Sequence, residues 1–107
     1  MIIQLEKELN LNQIISQNPE KVTCLYFSAS WCGPCKKIFP SVDALSKEYN
    51  NQILFVKVDV DEYEELSEEC GITAMPTFLF YKNLKQVDKL EGANEEELKL
   101  KASLSIM

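Results

Sequence analysis

Val22-Thr23-Cys24-Leu25-Tyr26-Phe27, then Ser28-Ala29-Ser30-Trp31, then Cys32-Gly33-Pro34-Cys35-Lys36: the reading of this chain turns on these fifteen residues. The first six are rich in β-branched and aromatic types and nearly continuously apolar, the pattern of a central strand covered on both faces. Beyond the cysteines the period changes. Ile38, Val42, Leu45 and Tyr49 recur at three-to-four spacing, so a helix runs to about Tyr49. Pro40 falls inside it and is expected to kink it. A pair of cysteines therefore opens a helix directly after a buried strand.

Outward from this centre, residues 2–5 suggest a short first strand, and Asn10 followed by Gln13 is a capping-box start for a helix through about Gln17, stopped by Asn18-Pro19. Residues 53–58 form a second buried strand, and residues 62–70 a helix whose end Gly71 marks. Residues 77–82 and 86–90 read as two strands joined by Asn83-Leu84-Lys85. From Leu98 the chain alternates apolar and polar, which is strand-like, yet the Asn94/Glu97 cap, the acid-rich first turn and the good helix formers decide for a helix. The order β-α-β-α-β-α-β-β-α predicts an α/β fold: a central mixed sheet of parallel strands plus a C-terminal antiparallel hairpin, flanked by four helices.

With 107 residues, 46% of them apolar and 26% charged, the chain is expected to form one domain over residues 1–107 with a core of its own. Its net charge is −6, all eleven cations are Lys, and neither Arg nor His occurs. An acidic domain has little with which to neutralise phosphates, so nucleic acid is not an expected partner. Without His, Ser-His-Asp and Cys-His hydrolytic arrangements and imidazole-ligated zinc are excluded. No window approaches the roughly eighteen apolar residues of a membrane span. The N-terminal residues carry acids and no basic-then-apolar pattern, so they do not read as a signal peptide, and the cytoplasm is the expected location.

Cys24, Cys32, Cys35 and Cys70 contain one close pair, which in a reducing compartment points to a working pair in place of a structural framework. A metal site is not expected, because four-ligand zinc would need Cys24 and Cys70 to converge on that pair. At a strand-to-helix junction the unpaired N–H groups and the positive end of the helix dipole favour a thiolate on Cys32. The two-residue spacing brings Cys35 within one helical turn, and Gly33 and Pro34 suit that turn, since the missing proline N–H costs nothing there. Cys32 is expected to be exposed and nucleophilic, with Cys35 protected one turn inward. That division of labour is dithiol–disulfide exchange: Cys32 attacks a disulfide and Cys35 resolves the mixed disulfide.

These residues resemble the thioredoxin family, through Trp31-Cys32-Gly33-Pro34-Cys35-Lys36 and, centred 41 residues beyond Cys35, Met75-Pro76-Thr77. Phe27, Ala29, Lys57, Asp59, Phe78 and Gly92 also fall at family-like positions, so the resemblance spans essentially the whole chain. It implies a monomeric cytoplasmic disulfide reductase with no cofactor besides the Cys32–Cys35 disulfide, serving electron transport and cell redox homeostasis. An NADPH-dependent thioredoxin reductase would reduce it. Its implied substrates are protein disulfides such as those of peroxiredoxin, ribonucleotide reductase and methionine sulfoxide reductase. Pro76 is expected to be cis, with Met75 offering backbone hydrogen bonds to substrate. Trp31, Gly33, Pro34, Met75, Pro76, Thr77, Gly92 and Ala93 are expected to bind substrate, and Lys36 to help tune the thiols.

The chain departs from the family at Tyr26, where most members carry a buried Asp believed to relay the inner thiol's proton, while the partner lysine is kept as Lys57. Loss of that anion lowers the thiol pKa values and makes the pair more oxidising. Alternatively, Tyr26 is an aromatic core residue whose hydroxyl finds a backbone partner, with Lys57 snorkelling to water. Leu84, where the family's hairpin often has Gly, is a second departure and concerns the turn alone. Cys24 reads as a small buried apolar residue, and Cys70 as either buried or a regulatory thiol. An oxidase- or isomerase-like member and a non-catalytic binding module stay open beside the reductase.

Overall fold

The computed structural model describes residues 2–7 and 9–107. Its elements are β1 (Ile2–Gln4), α1 (Leu11–Ile15), β2 (Val22–Ser28), α2 (Gly33–Glu48), β3 (Ile53–Asp59), α3 (Glu64–Glu69), β4 (Thr77–Lys82), β5 (Lys85–Glu91) and α4 (Glu95–Ser105). The element order is the one expected.

All seven residues of β2 are buried, which accounts for its lack of apolar–polar alternation. It is the middle strand of a five-stranded sheet ordered β1-β3-β2-β4-β5. β1 and β2 each run parallel to β3, while β4 is antiparallel to β2 and to β5. Side chains alternate between two cores. Val22, Cys24 and Tyr26 join Ile38, Val42, Leu45, Leu98 and Ala102, so α2 and α4 cover that face. Leu25 and Phe27 join Ile14, Ile15, Tyr63 and Leu66 on the face covered by α1 and α3.

Boundaries differ from expectation where side chains intercept backbone groups. The Asn10/Gln13 capping box is formed in both directions, yet α1 ends at Ile15, two residues early. α3 begins at Glu64 and not near Glu62, because Asp59 Oδ1 accepts the N–H groups of Asp61 and Glu62 in an Asx turn. The hairpin turn is two residues, Asn83 and Leu84, both with positive φ (53° and 65°), and Lys85 already belongs to β5. In α4, Leu98 and Ala102 are buried four residues apart while Leu100 and Leu104 face solvent, so the alternation was two helical stripes.

Candidate active site

Backbone geometry at the end of β2 sets the site. The chain leaves the strand through Ala29-Ser30-Trp31, and Cys32 takes an extended conformation as N-cap of α2, φ −87° and ψ 107°. Ser, Thr, Asp or Asn usually serve there, with an oxygen that accepts an orphan N–H. Here the acceptor is sulfur: the Cys35 N–H donates to Cys32 Sγ at 3.1 Å. Pro34 occupies the first turn, where no N–H is needed. Cys32 and Cys35 are joined in a disulfide, with their Cα atoms 5.3 Å apart.

The expectation that Cys32 is exposed needs correction for this oxidised form. Cys32 is only 4% exposed, because the disulfide folds it against Ala29 and Cys35, with Val60 and Met75 packed on the cluster. What is exposed is its surround. Trp31 is 66% exposed, Gly33, Pro34 and Ala93 are exposed, and Met75 and Gly92 are half-buried. Met75–Pro76 is a cis peptide. The Gly92 N–H donates to Pro76 O at 2.8 Å, and Gly92 has φ 101°, a backbone region open to glycine, so the loop after β5 is tied to the cis turn. Pro34 and Ala93 share a groove of about 370 Å³ with Lys37, Ile38 and Glu95. The side chain of Thr77 is not on this surface: it is fully buried and its hydroxyl donates to Ala74 O at 2.7 Å, shaping the turn from beneath.

Asp61 is a residue that sequence reasoning passed over. Trp31 Nε1–H donates to Asp61 Oδ2 at 2.7 Å, and the Asp61 N–H is held by Asp59. The D-x-D spacing of residues 59–61 was the available signal for an Asx turn.

Behind the disulfide lies Tyr26, 1% exposed and stacked on Phe78 with centroids 4.9 Å apart and planes 5° from parallel. Its hydroxyl donates to the Cys35 carbonyl at 2.9 Å. This is the backbone partner that one of the two readings of Tyr26 expected. Burial pushes the phenol above its ordinary pKa, against a smaller lowering by Ser28. Lys57, half-buried and next to Tyr26 in the sheet register, places Nζ 5.2 Å from the centroid of the Phe39 ring. Lys36 is exposed.

The remaining cysteines lie on opposite faces of the sheet. Cys24 is fully buried among the residues under α2 and α4, where burial raises its thiol pKa well above the usual range. Cys70 is half-buried on the other side, and burial, with Glu69 adding repulsion, pushes its thiol up to about 11. Among the described residues, no helix is long and apolar enough to cross a membrane.

A family model described as Thioredoxin matches residues 2–105. The chain is 41% identical over 98 residues to thioredoxin of Equus caballus, covering 92% of each protein. Its fold is similar to that of the reduced Schistosoma mansoni thioredoxin pre-protein, with a TM-score of 0.91, 37% identity and 98% of both chains covered. A further similar structure comes from work on the thiol resolving mechanism in yeast mitochondrial 1-Cys peroxiredoxin via glutathione/thioredoxin systems, with a TM-score of 0.85, 34% identity and 95% and 93% of the two chains covered.

Proposed function

This chain belongs to the thioredoxin family and is a thioredoxin-type protein-disulfide reductase, and on that premise we propose that Cys32 is its attacking sulfur and Cys35 its resolving one. The observation that carries the assignment is the N-cap position of Cys32. Its sulfur already accepts the Cys35 N–H and stands at the positive end of a sixteen-residue helix, so a negative charge developing there meets a prepared donor.

In the reduced protein, the Cys32 thiolate attacks one sulfur of a substrate disulfide, forming a mixed disulfide and releasing the other sulfur as a thiolate that takes a proton. The Cys35 thiolate then attacks Cys32 Sγ. The Cys32–Cys35 bond forms, the bond to substrate breaks, and the second substrate sulfur leaves and is protonated. Two electrons have passed to the substrate. Trp31, Gly33, Pro34, Met75, Gly92 and Ala93 dock the substrate chain around the buried disulfide, Pro76 shapes that surface, and Lys36 and Lys57 add positive charge near the thiols.

Residues 1–107 act as one domain and as a monomer in the cytoplasm, carrying electrons from a flavin- and NADPH-dependent thioredoxin reductase to protein disulfides. The chain's own redox-active group is the cysteine pair. Peroxiredoxin, ribonucleotide reductase and methionine sulfoxide reductase are the proposed acceptors, the first supported by the likeness to the structure from the yeast peroxiredoxin work. The test is Cys35→Ser in the reduced chain, mixed with oxidised peroxiredoxin and read by intact mass. A stable adduct through Cys32 is expected. An adduct through Cys24 or Cys70, or none, overturns the assignment.

A further inference from the structure

We propose that Tyr26 is a positioning residue for the resolving step, its hydroxyl holding the Cys35 backbone where Cys35 Sγ can reach Cys32 Sγ. The inference rests on Cys35 being the resolving cysteine.

Resolution requires the first turn of α2 to keep its place while the substrate is attached to Cys32. The ladder of α2 lacks one bond just past that turn. The carbonyl of Lys36 would accept the N–H of residue 40, and residue 40 is proline, so the ladder lacks a bond one turn beyond Cys35. A groove of about 160 Å³ opens beside the turn, lined by Tyr26, Cys35, Phe39, Lys57 and Asp59 among others. Beside it the Tyr26 hydroxyl donates to the Cys35 carbonyl at 2.9 Å, a side chain-to-backbone tie from β2 to the turn.

The tie is anchored at its other end. Tyr26 sits in the middle strand, in register with Lys57 on one side and Phe78 on the other, and its ring is stacked on Phe78. A side chain so placed has little freedom, so its hydroxyl marks a fixed point to which the turn returns. Raised by burial, the phenol stays a hydrogen-bond donor at neutral pH. The attacking step depends on this tie only in part: the Cys35 N–H on the Cys32 sulfur moves with the same backbone, but Cys32 is held independently by its own N–H to Ala29 O at 3.1 Å. Loss of the hydroxyl therefore weighs on resolution more than on attack.

The experiment is a single turnover of reduced protein with 5,5′-dithiobis(2-nitrobenzoate). The first thionitrobenzoate is released when Cys32 attacks and the second when Cys35 resolves. Tyr26→Phe keeps the ring and its stack and removes the hydroxyl. The second release is expected to slow about threefold to tenfold, the span set by losing one hydrogen bond, and the first to slow by less. An unchanged second release, or equal slowing of both, overturns the proposal, since a purely structural role would not single out one step. If Tyr26→Phe does not fold, Phe78→Leu unseats the ring and is held to the same split. Cys35→Ser should give the first release alone. Two releases from that variant with Cys24 and Cys70 also replaced by Ser would instead overturn the role of Cys35, whatever Tyr26 does.

Discussion

Cys32 opens a helix and Cys70 closes one, and the two ends treat sulfur in opposite ways. Cys32 caps α2 at its N-terminus, accepts the Cys35 N–H and has no acid in the first turn of its helix. Cys70 caps α3 at its C-terminus, where its own N–H is spent on Leu66 O and Glu69 stands beside it. The N-terminal end presents donors and a positive dipole to an anion, while the C-terminal end presents carbonyls. Burial deepens the contrast at Cys70, pushing its thiol up to about 11, and Tyr81 beside it is pushed up as well by burial and by Cys70. Burial and Glu69 at Cys70, against a donor-rich helix start at Cys32, set the two thiols apart.

The contrast breaks most visibly in activity. Cys32→Ser is expected to abolish disulfide reduction in an NADPH-coupled assay with thioredoxin reductase, and Cys70→Ser to leave it at the parent level. Loss of activity in Cys70→Ser would remove the distinction between the two ends.

The next largest effect concerns charge behind the active pair. Tyr26→Asp restores an anion near Cys35, and at about 6 Å and an effective dielectric of about 20 that charge is worth roughly two pKa units. The thiol pKa values should rise and the reduction potential in graded thiol/disulfide buffers should become more reducing. If neither the potential nor the pH–rate profile moves, Tyr26 does not tune the pair through charge.

Alkylation and alkaline unfolding sharpen the Cys70 side. At pH 9 a thiol titrating near 11 is ionised about fiftyfold less than an ordinary one, and in the reduced protein Cys70 should react with iodoacetamide more slowly by that order. The folded chain keeps the Cys70 proton to higher pH than the unfolded chain does. Stability tied to it is therefore full below the ordinary value of 9.0 and is lost as pH rises toward about 11. Cys70→Ala should flatten that part of a urea-denaturation series; an unaltered alkaline slope would assign the loss to other groups.

The smallest effect lies across the sheet from Tyr81. Thr23 faces it in the register, and among the described residues its buried Oγ1 has no hydrogen-bond partner. Thr23→Val removes that hydroxyl at nearly constant shape and should stabilise the protein by about 1 kcal/mol, raising Tm by roughly 4 to 8 °C. A lower Tm would mean the hydroxyl is satisfied in solution.

Much of this was legible in local pattern. The continuous apolar run of residues 22–27 marked the middle strand, the Asn10/Gln13 box marked a helix start, and Cys32 at a strand-to-helix junction marked the site. Each depends on residues a few positions apart, where backbone periodicity sets the geometry. Illegible parts involved competition or distance. The start of α3 was displaced when the Asp59 carboxylate captured two N–H groups. Leu84, poorly suited to positive φ, was nevertheless placed there, because a two-residue turn between twisted strands demands that conformation.

By itself the sequence determined the order of strands and helices, the reactive pair and its place at a helix start. The tertiary structure alone decided that Cys32 is buried when oxidised, that Trp31 finds Asp61 thirty residues away, that Met75 packs on the cysteines, and that the Tyr26 hydroxyl meets the Cys35 carbonyl. These contacts follow from sheet register and helix packing, which bring distant residues to within a few ångströms, and no local periodicity encodes such distances.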